Sequence, residues 1–205
     1  MPRFRTLDDI RVAGRRVLVR TDLNVPMSEG RITDTMRIER TAPTIRDLAE
    51  REGRVVVMSH LGRPDGKRDE GLSLRPVADA LAQAIGRPVT FIDDCIGDEV
   101  EAAVAALKDG EVALLENLRF HAGEEANDRM FVVQLAALGD LYVDDAFSCA
   151  HRAHASTDGV ARLMESAAGY LMAAELEALG QALESPARPL AAVVGGAKIS
   201  TKLDV

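Results

Sequence analysis

Val55-Val-Val-Met-Ser-His-Leu-Gly-Arg63 passes directly from an unbroken apolar run into a polar, glycine-containing loop. A strand with one face in water alternates polar and apolar residues; a strand covered on both faces does not. The run therefore reads as an inner strand of a parallel sheet, with its loop beyond the carboxyl end. Five further runs share the pattern: Val17-Leu-Val-Arg20, Val89-Thr-Phe-Ile92, Val112-Ala-Leu-Leu115, Leu141-Tyr-Val143 and Leu190-Ala-Ala-Val-Val194. Between them lie helical spacings. Residues 35–50 carry Ile38, Ala42, Ile45 and Ala49 on one face. Ser73 reads as an N-cap, with Pro76 in the first turn and Val77, Leu81 and Ile85 behind it. Residues 124–138 and 165–183 read as two more helices. Strand and helix in alternation predict an α/β protein with a doubly wound parallel sheet, a Rossmann-like three-layer α/β/α arrangement.

Composition agrees. The chain has 205 residues, 47% hydrophobic, with 3% aromatic and no Trp, so its core is built from Ala, Val, Leu and Ile. A net charge of −8 excludes a generally basic nucleic-acid binder. Two cysteines, Cys95 and Cys149, make no disulfide framework and lack the spacing of a metal motif, so no metal ligands are expected. Charges at Arg3 and Arg5 stand where a signal peptide needs an apolar stretch, and no run approaches the roughly 18 apolar residues of a membrane span. The expectation is a cytoplasmic protein that meets neither membrane nor nucleic acid.

Glu184-Ser-Pro-Ala-Arg-Pro189 reads as a linker. The expected organisation is a first domain over 1–164, a connecting helix over 165–184, and a linker with the first βα unit of a truncated second α/β domain over 185–205.

Ligands of open parallel sheets bind beyond the carboxyl ends of the strands. Those positions hold Asp22 and Asn24 after the first run, and Ser59-His60-Leu61-Gly62-Arg63 after the second. After the fourth comes Glu116-Asn-Leu-Arg119-Phe-His121, and after the fifth Asp144-Asp145 and His151-Arg152-Ala-His154. All four histidines fall in these loops, and Arg37 follows the first. Arginine makes up 21 of the 25 basic residues, so single arginines reach loops by chance. His60, Arg37, Arg63, Arg119 and Arg152 together would make an anion site, because guanidinium forks match phosphate and carboxylate oxygens in pairs. Asp144 and Asp145 read as caps or a hinge rather than metal ligands. Cys149 reads as a buried small side chain rather than a nucleophile.

Gly195-Gly-Ala-Lys198-Ile-Ser-Thr-Lys202 follows a strand run and opens a helix. Glycines let a phosphate approach backbone donors there, and Lys198 and Lys202 share one helix face. It is not a Walker A loop. Two of the four lysines in the chain stand here.

The motifs Arg20-Thr-Asp-Leu-Asn-Val-Pro26, Met58-Ser-His-Leu-Gly-Arg-Pro-Asp65, Leu115-Glu-Asn-Leu-Arg-Phe-His121 and Asp145-Ala-Phe-Ser-Cys-Ala-His-Arg-Ala-His-Ala155 resemble the phosphoglycerate kinase family in order and spacing. Gly195 to Lys202 resembles that family's nucleotide-side motif. Ser148-Cys149 stands where the family usually has Gly-Thr, and the chain resembles only the N-terminal half of the family plus the first βα unit of its C-terminal half.

The resemblance implies a glycolytic kinase. It would transfer a phosphoryl group reversibly between 1,3-bisphosphoglycerate and MgADP, giving 3-phosphoglycerate and ATP. It implies that His60, Arg63, Arg119 and Arg152 grip the 3-phosphate, that Asp22 and Asn24 take the 2-hydroxyl, and that Leu23, Leu61 and Gly62 belong to the same substrate-binding set. Arg37 and Lys198 would be catalytic. Lys202, Gly195 and Gly196 would bind nucleotide, with most of the Mg²⁺ and ATP/ADP site in the missing half. A monomer, inactive alone, is the expectation; the alternative is a non-catalytic phosphate-binding module.

Overall fold

The computed structural model describes residues 4–184, 186–189 and 191. Its centre is β1 (Arg16–Arg20), followed by a short hairpin of β2 (Met27–Ser28) and β3 (Arg31–Ile32), then helix α1 (Met36–Glu50). The chain continues through β4 (Arg54–Met58), α2 (Arg75–Ile85), β5 (Val89–Ile92), α3 (Asp98–Ala105) and β6 (Val112–Leu115). Next come α4 (Ala122–Glu125), α5 (Arg129–Ala137), β7 (Leu141–Asp144), α6 (Val160–Leu163), β8 (Ser166–Ala168) and α7 (Tyr170–Glu184). Six strands form one sheet in the order β5-β6-β4-β1-β7-β8, and every pairing is parallel.

The apolar runs explain the layers. Val17, Val19, Val55, Val57, Val112, Leu114, Leu141 and Val143 face one core with Ile38, Ile45, Leu48, Val77 and Leu81 of α1 and α2. The alternate residues Leu18, Val56, Met58, Ala113, Leu115 and Tyr142 face a second core with Val100, Val104, Phe131 and Leu135 of α3 and α5. Burying each such side chain contributes about 1.5–3 kcal/mol. With both faces apolar, a one-residue slip is not penalised by turning a polar face inward. The charged strand ends penalise it instead: Arg16 lies opposite Arg54 at the start of β1 and β4. Each is anchored outside the sheet, Arg16 on Asp140 at 2.7 Å and Arg54 on Asp109 at 2.8 Å.

The sequence readings differ from this structure in three places. The span 165–183 is not one helix: Ser166–Ala168 pairs with β7, and the helix begins at Tyr170. The sheet thus runs past residue 164, the expected end of the first domain. The span 124–138 is broken because Asn127 takes a positive φ of 50° and Asp128 caps α5, accepting from the N–H groups of Met130 and Phe131. Ser73 stands one residue ahead of the cap position, yet its hydroxyl accepts the Arg75 N–H at 3.1 Å. The run over 190–194 and Gly195 to Lys202 lie outside the described residues, so Lys198, Lys202, Gly195 and Gly196 are not placed.

From β1 the chain crosses through α1 to β4 on one side, and from β6 it returns through α4 and α5 to β7 on the other. Crossovers that part on either side of one strand leave a crevice at its carboxyl end. Among the described residues, no helix is long and apolar enough to cross a membrane.

Candidate functional site

Arg20, the last residue of β1, is 1% exposed and has no carboxylate partner among the described residues. Its Nε donates to Ser156 Oγ at 2.8 Å, one Nη donates to the carbonyl of Thr21, and the other meets His60 Nδ1 at 3.0 Å. A guanidinium has no acceptor, so Nδ1 accepts and the neutral ring carries its proton on Nε2. Burial first, then the charges of Arg20, Arg119 and Arg152, push the imidazole down to about 3, against the weaker pull of Asp22. At neutral pH His60 is an uncharged donor among guanidinium groups.

Two polar staples shape the loops around it. Ser59 Oγ donates to the Thr21 carbonyl at 2.8 Å and accepts the N–H of buried Leu23 at 2.8 Å. Asn24 Oδ1 accepts the Gly62 N–H at 2.9 Å. Gly62 has φ +64°, and a Cβ there would sit 2.7 Å from Leu72 Cδ2, so the turn requires glycine. Leu61 is buried, and its carbonyl accepts from Asn117 Nδ2 at 2.8 Å; it shapes the loop without offering a polar side chain.

Arg119 is 4% exposed and donates to the Gly62 carbonyl at 2.8 Å. Its Nε lies 3.1 Å from Glu125 Oε1 but out of line for a hydrogen bond, and it is a buried donor without an acceptor among the described residues. Burial pulls its ionisation down, Glu125 opposes this, and the charges of Arg152 and Arg20 add to the fall. A donor left open beside other cations suits an incoming anion. Arg152 is half-buried, with its Nε 3.2 Å from His151 Nε2.

Asp22 brings a carboxylate to the centre. It takes an ion pair from Arg37, the Ser148 hydroxyl at 2.5 Å and the Asn24 N–H at 3.2 Å. Burial would raise its ionisation, but the Ser148 and Asn24 hydrogen bonds and then the Arg37 charge hold it below the ordinary carboxylate value.

The structure thus gathers Asp22, Leu23, Asn24, Arg37, His60, Leu61, Gly62, Arg119 and Arg152 at the mouth of β1, β4 and β7. Arg63 stands apart, exposed and without a hydrogen bond or ion pair among the described residues. Two participants escaped the sequence reading. Arg20 is signalled only by a cation closing an apolar strand, and Ser148 only by its place in the loop after β7. His121 pairs instead with Asp94 at 2.6 Å. Asp145 is a cap: its carboxylate accepts the N–H groups of Leu171 and Met172 at 2.8 and 3.2 Å. Burial pushes it up to about 6, against the pull of hydrogen bonds from Thr44, Met172 and Leu171.

Comparison with known proteins points one way. The family model "Phosphoglycerate kinase" matches residues 7–205. A phosphoglycerate kinase of Rhodospirillum centenum is 62% identical over 202 residues, 98% of this chain and 51% of its own length. One of Granulibacter bethesdensis is 63% identical over the same shares. The structure of phosphoglycerate kinase from Coxiella burnetii superposes with a TM-score of 0.86 at 43% identity, over 97% of this chain and 50% of that one. The chain spans about half the length of the curated relatives it matches.

Proposed function

The chain belongs to the phosphoglycerate kinase family, and from that premise we propose that it forms the triose-binding half of the enzyme. The reaction is reversible phosphoryl transfer between 1,3-bisphosphoglycerate and MgADP, giving 3-phosphoglycerate and ATP. The observation that supports it most is the cluster of buried guanidinium groups around a neutral His60, with Arg119 Nε unsatisfied.

In this reading Arg119, Arg152 and the His60 Nε2–H hold the 3-phosphate, and the exposed Arg63 folds over it. Arg20 is a positioning residue: it sets the His60 tautomer and adds charge from behind. Asp22 and Asn24 take the 2-hydroxyl. In the direction of ATP consumption, a carboxylate oxygen of the triose bonds to the terminal phosphorus as the bond to the ADP oxygen breaks. The nucleophile is already ionised, so no proton moves. Catalysis then consists of alignment and charge neutralisation. Arg37, now paired with Asp22, turns toward the transferring group when substrate arrives. Lys198, Lys202, Gly195 and Gly196 would belong to the nucleotide side, where a bound Mg²⁺ would supply charge neutralisation for the phosphates.

Calorimetry of the chain with 3-phosphoglycerate tests the site. Binding should weaken with added salt, and sulfate should compete more strongly than chloride at equal ionic strength. Equal affinity in both salts rejects the anion site. Adding ATP and Mg²⁺ should give no turnover, and turnover at the rate of a two-domain kinase rejects the assignment of most of the nucleotide site to the half of the relatives that this chain does not span.

A further inference from the structure

Two clusters among the described residues bring a carboxylate oxygen, an imidazole nitrogen and a cysteine sulfur within 4.8 Å of one another: Asp22–His60–Cys149 and Asp94–Cys95–His121. Their donor chemistry is the same and their electrostatic surroundings are opposite. The first stands among Arg20, Arg37, Arg119 and Arg152, whose field repels a cation. In the second, the Cys95 thiol is fully buried, with the carboxylates of Asp94, Glu124 and Glu116 around it. Glu116 is saturated by neutral donors, the Ser73 hydroxyl and the N–H groups of Leu74 and Asn117; Arg68 is the nearest cation, at 3.8 Å. Glu124 accepts from Ser156 N–H and Oγ, with His154 at 3.9 Å.

We infer that Asp94, Cys95 and His121 form a binding site for a soft divalent cation of the Zn²⁺ class, with three protein ligands and a fourth position open to water. Thiolate, imidazole and carboxylate are the zinc donor set. The Asp94 oxygen and His121 Nε2 are now 2.6 Å apart in a hydrogen bond. A tetrahedral ion holding both would set them about 3.3 Å apart, an opening of about 0.7 Å. Asp94 Oδ1 is also held by the Cys95 N–H at 2.6 Å, so the partly exposed His121 makes the movement while Asp94 and Cys95 stay as the fixed side. The proton balance is simple. The thiol loses its proton to solvent as the sulfur–metal bond forms, and the imidazole proton shifts from Nε2 to Nδ1. A cleft of about 550 Å³ lined by Asp94, Ile96, Gly97, Asp98 and Glu99 opens beside the Asp94 ligand, with Asp93 at its edge paired to Arg68 and Arg75 at 3.0 Å. The sequence hides the site because Cys95 follows β5 and His121 follows β6, and only the pairing of these strands joins them. Occupancy would tie those two loops together two residues from Arg119.

Cobalt titration of the whole chain tests this, because a thiolate ligand gives a sulfur-to-cobalt charge-transfer band that carboxylate and imidazole do not. The band should appear at one equivalent, be displaced by Zn²⁺, persist in Cys149→Ala and vanish in Cys95→Ala. Zn²⁺ should also raise the melting temperature of the parent chain. His121→Asn, at a partly exposed position, guards against a misfolded Cys95 variant. It should lower zinc affinity by more than the 10–100-fold cost of losing a supporting second partner, which is about 1.4–2.7 kcal/mol. No band in the parent, or a band that survives Cys95→Ala and is lost in Cys149→Ala, overturns the site. Unchanged affinity in His121→Asn does the same.

Discussion

The two ends of the sheet carry the same cation in different company. At the amino ends, Arg16 pairs with Asp140, Arg54 with Asp109, and Arg5 and Arg15 share Glu165, at 2.7 to 3.5 Å and partly in water. At the carboxyl ends, Arg20 and Arg119 are almost fully buried, and Arg20 has no carboxylate partner among the described residues. One end spends its arginines on holding the strands. The other accepts the cost of crowding charge out of water, which a structure bears where a ligand supplies the missing charge.

The sharpest way to break this contrast is Arg119→Met, which keeps the bulk and removes the charge. Affinity for 3-phosphoglycerate should fall by about 2–5 kcal/mol, the usual loss when a buried charge partner is truncated. Ligand-free stability should hold or rise, because the lost bond to Gly62 is offset by relief of a desolvated charge. Calorimetry and denaturant melts of the same samples measure both. A destabilised variant with unchanged affinity would make Arg119 a structural residue like those of the opposite end.

His60 supplies the next largest effect. Its folded value is depressed to about 3 from 6.5, so the unfolded chain takes up the proton first as pH falls. The contribution of the neutral ring is complete above the unfolded value and is lost as pH falls from 6.5 toward 3, at up to about 1.4 kcal/mol per pH unit. Asp145 works the other way. Its carboxyl is raised to about 6 from 3.8, so its contribution is present below 3.8 and lost as pH rises toward 6. Between about pH 4 and 6 the two slopes oppose each other. His60→Gln should therefore gain stability relative to the parent as pH falls from 6.5, and Asp145→Asn should gain relative to the parent as pH rises through 4 to 6. Urea melts at stepped pH measure the slopes, and parallel curves for parent and His60→Gln would mean that the ring is not buried neutral.

Arg16→Met probes the opposite end. It removes a bidentate, partly exposed partner of Asp140 and should cost about 0.5–1 kcal/mol of stability while leaving triose affinity unchanged. A change in affinity would join the two ends, against the comparison. The smallest expected effect is that of sulfate on the ligand-free chain. Sulfate should raise the melting temperature of the parent by mass action and leave Arg119→Met less affected.

How much of this the sequence shows depends on whether the signal is local. Runs such as Val55–Met58 declare buried strands because neither face needs a polar residue. Ser166-Ala-Ala168 does not, since its small side chains carry no strand signature and lie against a helical run. The break at Asn127 and the hairpin turn at Glu29 and Gly30 rest on positive φ values in short polar stretches, where helix and turn compete closely. In the site, residues in loops beyond apolar runs were legible by position. Arg20 was not, because a terminal arginine of a strand reads the same whether it meets water, as Arg16 does in part, or His60. That distinction belongs to the fold.

The order of strands also sets a timetable. β1 is the first strand of the sheet to leave the ribosome and sits at its middle, with Val17 paired to Leu141. At synthesis rates of about 5–20 residues per second, one edge of that all-apolar strand waits roughly 6–25 seconds for its partner. Through that interval Val17, Leu18 and Val19 can recruit a strand from a neighbouring nascent chain. Early docking of α1 and β4 shelters one face and one edge. The opposite edge remains open until β7 emerges, which makes a pause in translation between residues 58 and 141 the moment of greatest exposure to misassembly for this chain.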